Sequence, residues 1–253
     1  MNISILLPYK ENFSPDYPGA VSLFVYETSK ISNYRKKITV FGNTEYKKKF
    51  NLKYKNIYLK KKIFSSQTSE YVKKFINLDR DTKSSIIEIH NRPSYVHILN
   101  SEIKDKILTL YFHNDPLSMD GSKSIEQRKK LLKNCYKIIF NSTWSKKRFL
   151  EGLENKFINS NKLLVFYQSA QKGSLSVIKK KKKWITFVGK LNKAKGYDIF
   201  AKAITIILNK YDDWKAIVIG DEKREKILLK HKNAKILGFK KSLTVIIKDC
   251  LQF

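Results

Sequence analysis

The chain has 253 residues, 42% of them apolar and 13% aromatic, enough to bury one large core or two modest ones, which excludes an intrinsically disordered chain. No apolar run approaches the ~20 residues of a membrane-spanning helix. The formal net charge is +30, but 46 of the 52 cations are Lys and six are Arg, spread along the whole sequence. Base-edge recognition favours Arg and no nucleic-acid module signature is present, so nucleic acid is not the expected partner. A Lys-rich solvated surface accounts for the charge. Attraction to an anionic membrane surface or a phosphorylated substrate is the alternative.

The first residues, MNISILLPYK, carry no basic stretch before a short apolar run, so a cytoplasmic protein is expected, in which membrane association would be peripheral. Cys135 and Cys250 fit no metal or redox spacing and read as buried thiols. No metal-ligand spacing appears.

In chain order, ISILLPY (3–9) predicts a buried parallel strand. A Pro/Gly loop follows, and residues 20–32 place Val21, Phe24, Val25, Thr28 and Ile31 at helical spacing. KITVFG (37–42) predicts a second strand, NIYLKKK a third, and 66–78 a helix. Residues 84–93 predict a strand running into an Asn-Arg-Pro turn, 95–103 a short helix, and 106–116 a strong strand ending at His113. Residues 122–135 predict a helix with a capping pattern opening at Ser122. FNSTWSKKRFLEGL predicts a strand end, a polar cap and a helix. KLLVFYQS (162–169) closes the first series. Alternation of strands and helices predicts a doubly wound α/β domain over residues 1–175, with its ligand edge at Tyr9–Gly19, His90–Pro93, His113–Asp115 and Asn141–Thr143.

A Lys-rich linker precedes a second α/β unit over residues 184–253. It is predicted to hold strands at 184–189, 214–219 and 234–239, helices at 196–210 and 222–231, and an amphipathic segment at 242–253. Three strands make a small sheet with a bare edge, so this second domain is expected to be incomplete.

WITFVGKLNKAKGYDIF (184–200) is the most informative stretch. A strand ends at Gly189, Lys190 and Lys195 bracket a polar loop, and Gly196 precedes a helix. Glycines allow close backbone approach, a helix N-terminus carries partial positive charge, and two lysines can reach phosphate oxygens. The pattern is neither a P-loop nor a dinucleotide fingerprint. From the residues alone, a diphosphate site and a plain turn with solvated lysines account for it equally.

FVGKLNKAKGYDIF resembles the donor-phosphate segment of the retaining family 4 glycosyltransferases, which have the GT-B fold of two Rossmann-like domains. In that family the two cations contact the diphosphate of a nucleotide-sugar, and the matching residues are Gly189, Lys190, Lys195 and Gly196. The first cation is usually Arg, and Lys190 lacks its bidentate geometry. ISILLPY…YPGAVSLFVYETSK resembles the family's N-terminal start, with Gly19 in the loop that approaches donor phosphates and acceptor. LYFHNDP places His113 at a cleft histidine that contacts the transferred sugar. VIGDEKREK and ILGF, with Gly220 and Phe239, resemble later turns near the nucleotide.

The resemblance implies transfer of a sugar from a nucleotide-sugar donor to an acceptor hydroxyl with retention, on a glycan or lipid-linked acceptor in cell-surface glycan assembly. The donor is a substrate, and no cofactor or metal is implied. The family's paired-glutamate motif would fall beyond Phe253, so a chain truncated in its C-terminal domain is expected. An inactive nucleotide-sugar-binding fragment, a charge-driven binder and a poorly folding fragment are the rival readings. Among the other polar residues, His90 is a weak acceptor-side candidate, His97 and His231 are expected to be structural or idle, and Arg92 and Asp115 suit either a cleft or a turn.

Overall fold

A computed structural model describes residues 1–59, 66–168, 182–222 and 225–240. The chain folds as two compact units, Met1–Lys172 and Gly173–Phe253.

In the first unit, short apolar segments form seven strands: β1 (Ile3–Leu6), β2 (Ile38–Gly42), β3 (Tyr54–Asn56), β4 (Ile86–His90), β5 (Ile107–Phe112), β6 (Lys137–Phe140) and β7 (Leu163–Val165). All neighbours pair in parallel, in the order β3-β2-β1-β4-β5-β6-β7. Parallel neighbours need crossovers, supplied by α1 (Ala20–Ile31), α2 (Gln67–Thr82), α3 (Pro93–Glu102), α4 (Ile125–Asn134) and α5 (Thr143–Leu150). The order reverses between β1 and β4. That switch point is where an open α/β sheet offers a crevice at the carboxyl ends of its strands.

Strand periodicity assigns the faces. Leu6, Phe41, Ile87, Ile89, Leu108, Leu110, Phe112, Ile138 and Phe140 meet α2 to α5 through Tyr71, Val72, Phe75, Tyr95, Val96, Leu99, Leu131 and Phe149. Ile5, Leu7, Ile38 and Val40 point the other way, to Val21 and Val25 of α1 and to Phe13. Each fully buried Leu, Ile or Phe contributes about 1.5–3 kcal/mol. At the opposite end of the sheet, buried Asp79 at the end of α2 accepts from the Ser4 and Ser84 hydroxyls, tying α2 to the starts of β1 and β4.

The second unit holds β8 (Trp184–Val188), α6 (Tyr197–Lys210), β9 (Lys215–Ile219) and β10 (Ala234–Ile236), with a parallel sheet in the order β10-β9-β8. Tyr197, Ala201, Ile204 and Leu208 of α6 pack on Ala216 and Val218.

Several expectations shift. The described residues between 222 and 231 are not helical. The chain there is held by contacts to the loop after β8 instead, because Glu222 and Glu225 accept from Asn192 and from the Lys193 backbone. The third strand is Tyr54–Asn56, the register at which Val40, Phe41 and Gly42 find partners, and it shares Asn56 with the expected segment NIYLKKK, whose last three residues lie outside the described residues. Helix α4 opens at Ser124, not Ser122. The Ser124 hydroxyl accepts from the Gln127 backbone and the Gln127 side chain accepts in return from the Ser124 backbone, a complete capping box. Ser122 is buried and donates to the Pro116 carbonyl. The amphipathic segment at 242–253, with Cys250, lies outside the described residues.

Candidate active site

In the first unit the edge is built where β4, β5 and β6 end. Asn91 follows β4 with φ +55°, a left-handed conformation that Asn tolerates better than most residues. Its backbone N–H pairs with the Tyr111 carbonyl at 2.8 Å, and its Oδ1 accepts from the His113 N–H at 3.1 Å. From the other side, Asn141 Nδ2 donates to the His113 carbonyl at 2.8 Å. Asn141 is held in turn by the Ser145 hydroxyl, and Ser142 caps α5. The peptide at His113 is therefore clamped by amides from both neighbouring strand ends.

The His113 ring is fixed as firmly. Its Nε2 lies 2.8 Å from His90 Nδ1, and His90 Nε2 lies 2.7 Å from Glu88 Oε1. Gln168 Nε2 donates to His113 Nδ1. The His90 ring stacks on Tyr111 at 5.0 Å, and Phe24 of α1 meets the edge of the His113 ring at 5.0 Å. His90 is fully buried. Burial, then the neighbouring His90, push the His113 pKa down to about 3, so its ring is neutral at ordinary pH. Burial, then Glu88, push the Tyr111 phenol up to about 12, and it stays protonated.

At the switch point, Gly19 precedes α1. A Cβ there would lie 1.9 Å from Glu11 Oε1. The absence of a side chain lets the Glu11 carboxylate accept from the Ser22 N–H at 2.9 Å, so this carboxylate occupies the positive end of α1. An anion arriving at Gly19 must displace it.

In the second unit, the carboxyl ends of β8, β9 and β10 bring Gly189, Gly220 and Gly238 side by side. The Gly189 N–H donates to the Ile219 carbonyl at 3.0 Å, and the Gly220 N–H donates to the Gly238 carbonyl at 2.9 Å. Gly220 has φ +143°, and a Cβ on it would stand 1.8 Å from the Gly189 carbonyl oxygen. Gly196 takes the left-handed conformation, φ +69°, and turns the chain into α6. Asn192 organises the loop: its Oδ1 accepts from the Lys195 N–H at 3.1 Å and its carbonyl from the Tyr197 N–H at 3.2 Å. Lys190 and Lys195 are exposed, and neither is ion-paired with a described carboxylate. Phe239, just after Gly238, is 39% exposed.

His113 and His90 thus share the first unit's edge with Asn91 and Asn141. Gly189, Lys190, Lys195, Gly220 and Phe239 belong to the second unit's edge. Asp115 serves its turn, accepting from the Leu117 N–H at 3.0 Å and pairing with Arg148 at 3.2 Å. Arg92 donates to the Asn91 carbonyl, His97 bonds the Gly121 carbonyl, and His231 accepts from the Asn233 N–H. Sequence reasoning placed Asn91 and Asn141 at the ligand edge without giving them a role, and missed Glu88 and Asn192. The signal for Asn192 was present, an N-cap residue three positions before Lys195. Among the described residues no group of three His, Cys, Asp or Glu is placed to hold a metal, and no helix is long and apolar enough to cross a membrane.

Residues 173–246 match the family model for group 1 glycosyl transferases. No curated protein matches the sequence. Among solved structures, HepE of Anabaena in complex with UDP and glucose is similar at TM-score 0.66 and 17% identity, over 94% of this chain and 69% of that one. A glycosyltransferase from Rickettsia africae is similar at TM-score 0.62 and 13% identity, over 94% and 68%. The UDP-GlcNAc 2-epimerase of Neisseria meningitidis bound to UDP-GlcNAc matches at TM-score 0.57 and 10% identity, over 98% and 75%. At these identities the likeness is one of fold, an α/β fold with GT-B neighbours. The group 1 segment at residues 173–246, on a chain with that fold, supports a glycosyltransferase.

Proposed function

We propose that the protein transfers a sugar from a nucleotide-sugar to an acceptor hydroxyl, with retention at the anomeric carbon. The observation that carries the reading is the β8–α6 turn: two exposed lysines, ion-paired with no described carboxylate, flank a loop that leads into a helix N-terminus, within the group 1 segment. UDP bound to HepE, and UDP-GlcNAc bound to the Neisseria epimerase, support a nucleoside diphosphate as the group recognised. Lys190 and Lys195 would stabilise charge growing on the departing diphosphate, an electrostatic role that needs no proton transfer. Gly189 and Gly220 would shape the turns beside the diphosphate, and Phe239 would face the nucleotide. Gly19 would lie beside donor phosphate and acceptor once Glu11 is displaced. His113 would contact the sugar.

No resident cofactor or metal enters this scheme. Glycan or lipid-linked acceptors of cell-surface assembly suit the reading, and the net charge of +30 is compatible with a cytoplasmic protein working beside an anionic membrane surface.

Calorimetric titration with UDP tests the site. A lysine about 4 Å from a phosphate oxygen contributes about 1–4 kcal/mol between water-like and partly screened conditions, so Lys190→Ala and Lys195→Ala should each weaken UDP about tenfold or more. Affinity that both variants leave unchanged, or that ignores the nucleotide and falls only with salt, overturns the reading in favour of charge-driven binding.

A further inference from the structure

With the His113 and His90 rings both neutral and the Gln168 amide nitrogen facing His113, the hydrogen bonds around His113 have one self-consistent assignment. Glu88 as a carboxylate can only accept, so His90 Nε2 carries the proton donated to it across 2.7 Å. His90 Nδ1 is then a bare lone pair. It can only accept, so the 2.8 Å contact makes His113 Nε2 the donor. His113 Nδ1 is left without a proton, which agrees with its partner, the Gln168 amide, being a donor. Each contact along the line from Glu88 to Gln168 then pairs one donor with one acceptor, and reversing one ring while both stay neutral would set two lone pairs or two protons against each other.

The surroundings lock the rings as well as the protons. His90 is fully buried and stacked against Tyr111, and Phe24 closes on His113. The two asparagine amides hold the His113 peptide.

We propose that Glu88 and His90 are positioning residues that fix His113 in its Nε2–H tautomer, so that Nδ1 is presented as an obligate hydrogen-bond acceptor for a hydroxyl of the transferred sugar, taking the place of the Gln168 amide. The inference rests on the proposed function for the identity of that hydroxyl, and on the geometry alone for the tautomer. The site would select sugars whose hydroxyl donates at that position. A deoxy sugar that displaces the Gln168 amide offers that lone pair no donor in return and binds more weakly.

Long-range 15N–1H spectra of the histidine rings in the full chain decide the first half without any ligand. The expected wild-type spectrum shows His113 with Nε2 protonated and Nδ1 bare. A His113 that averages between tautomers, or carries its proton on Nδ1, overturns the proposal. In Glu88→Gln the side chain can donate as well as accept, and in His90→Phe the partner nitrogen is gone. Both should release His113 into a mixture, whereas a pure Nε2–H tautomer in both would mean that Gln168 alone sets it.

Titration of the folded variants with UDP-glucose and with UDP decides the second half. UDP-glucose should weaken about fivefold or more while UDP is unchanged, and equal behaviour of the two ligands overturns the acceptor role. If UDP fails to bind the wild type, the proposed function falls, and the tautomer result still stands on its own.

Discussion

Gly220→Ala is the sharpest test of how the second unit's edge is built. The residue has φ +143°, and a side chain in such glycine territory costs about 1–3 kcal/mol. Its Cβ would also sit 1.8 Å from the Gly189 carbonyl oxygen. An ordinary carbon–oxygen contact is about 3.3 Å or more, so the turns after β8 and β9 must separate by about 1.5 Å. That strains the bonds from Gly189 N–H to Ile219 and from Gly220 N–H to Gly238, now 3.0 and 2.9 Å. Each is worth about 0.5–1.5 kcal/mol. The expected loss is about 4 kcal/mol.

Gly196→Ala is the internal control. Its φ is +69° but no atom lies within 4 Å of the added carbon, so only the dihedral cost of about 1–2 kcal/mol applies. Urea unfolding followed by tryptophan fluorescence reads the difference. Trp184 and Trp214 belong to the second unit, and the exposed Trp144 of the first is replaced by Phe in all samples. With a slope of about 2 kcal/mol per molar urea, the Gly220→Ala midpoint should fall by about 2 M, and the Gly196→Ala midpoint by less than half of that. Equal shifts would refute the claim that close approach of the Gly189 carbonyl, rather than backbone conformation alone, demands glycine at position 220.

The remaining predictions concern the first unit. Buried Arg128 of α4 donates through Nη1 to the Phe149 and Glu151 carbonyls at the end of α5. Arg128→Met leaves them unpaired and should cost about 3 kcal/mol, read as a lower urea midpoint of Trp144 fluorescence, with Arg128→Lys recovering only part because it lacks the fork. His113 titrates near 3 when folded and near 6.5 when unfolded. The unfolded chain therefore binds the extra proton first, and this contribution to stability is fully present above about pH 6.5 and lost as pH falls toward 3. Replacing His113 with Gln should lower the slope of unfolding free energy against pH by up to about 1.4 kcal/mol per unit in that window, and an unchanged slope would show that His113 is not the group held neutral. Cys135 is buried with its thiol pushed up to about 12, so in a Cys250→Ser background a thiol-specific disulfide reagent at pH 8 should label nothing until denaturant is added.

Strand and helix order was legible because the parallel strands are short apolar runs, and the turns after them carry Gly, Pro or Asn. What failed has a common cause. The helix expected over 222–231 rested on local pattern, but Glu222 and Glu225 are drawn to Asn192 and Lys193, about thirty positions earlier in the chain. The cap of α4 was misplaced by two residues because Ser122 and Ser124 look alike in sequence, and only the Gln127 side chain selects between them. Gly19 was legible as a close approach, but not that the approaching group is Glu11 from the same loop.

The first unit's edge was half legible, and the missing half was written in an alternation that an apolar reading of the strand passes over. IIEIH reads as a strand running into an Asn-Arg-Pro turn. With period two, Ile87 and Ile89 face the helices while Glu88 and His90 share the opposite face. The next strand repeats the arrangement, with Leu108, Leu110 and Phe112 facing the helices and Thr109 and Tyr111 turned away, and His113 follows at its end. In a doubly wound sheet both faces are ordinarily apolar, as Ile5, Leu7 and Val40 are under α1. A polar stripe across two neighbouring strands, running toward their carboxyl ends beside the switch point, breaks that rule. Burial of His90 between the half-buried Glu88 and His113 is tolerable only because each satisfies the next. The stripe therefore marks a site by the same physics that makes it costly to build.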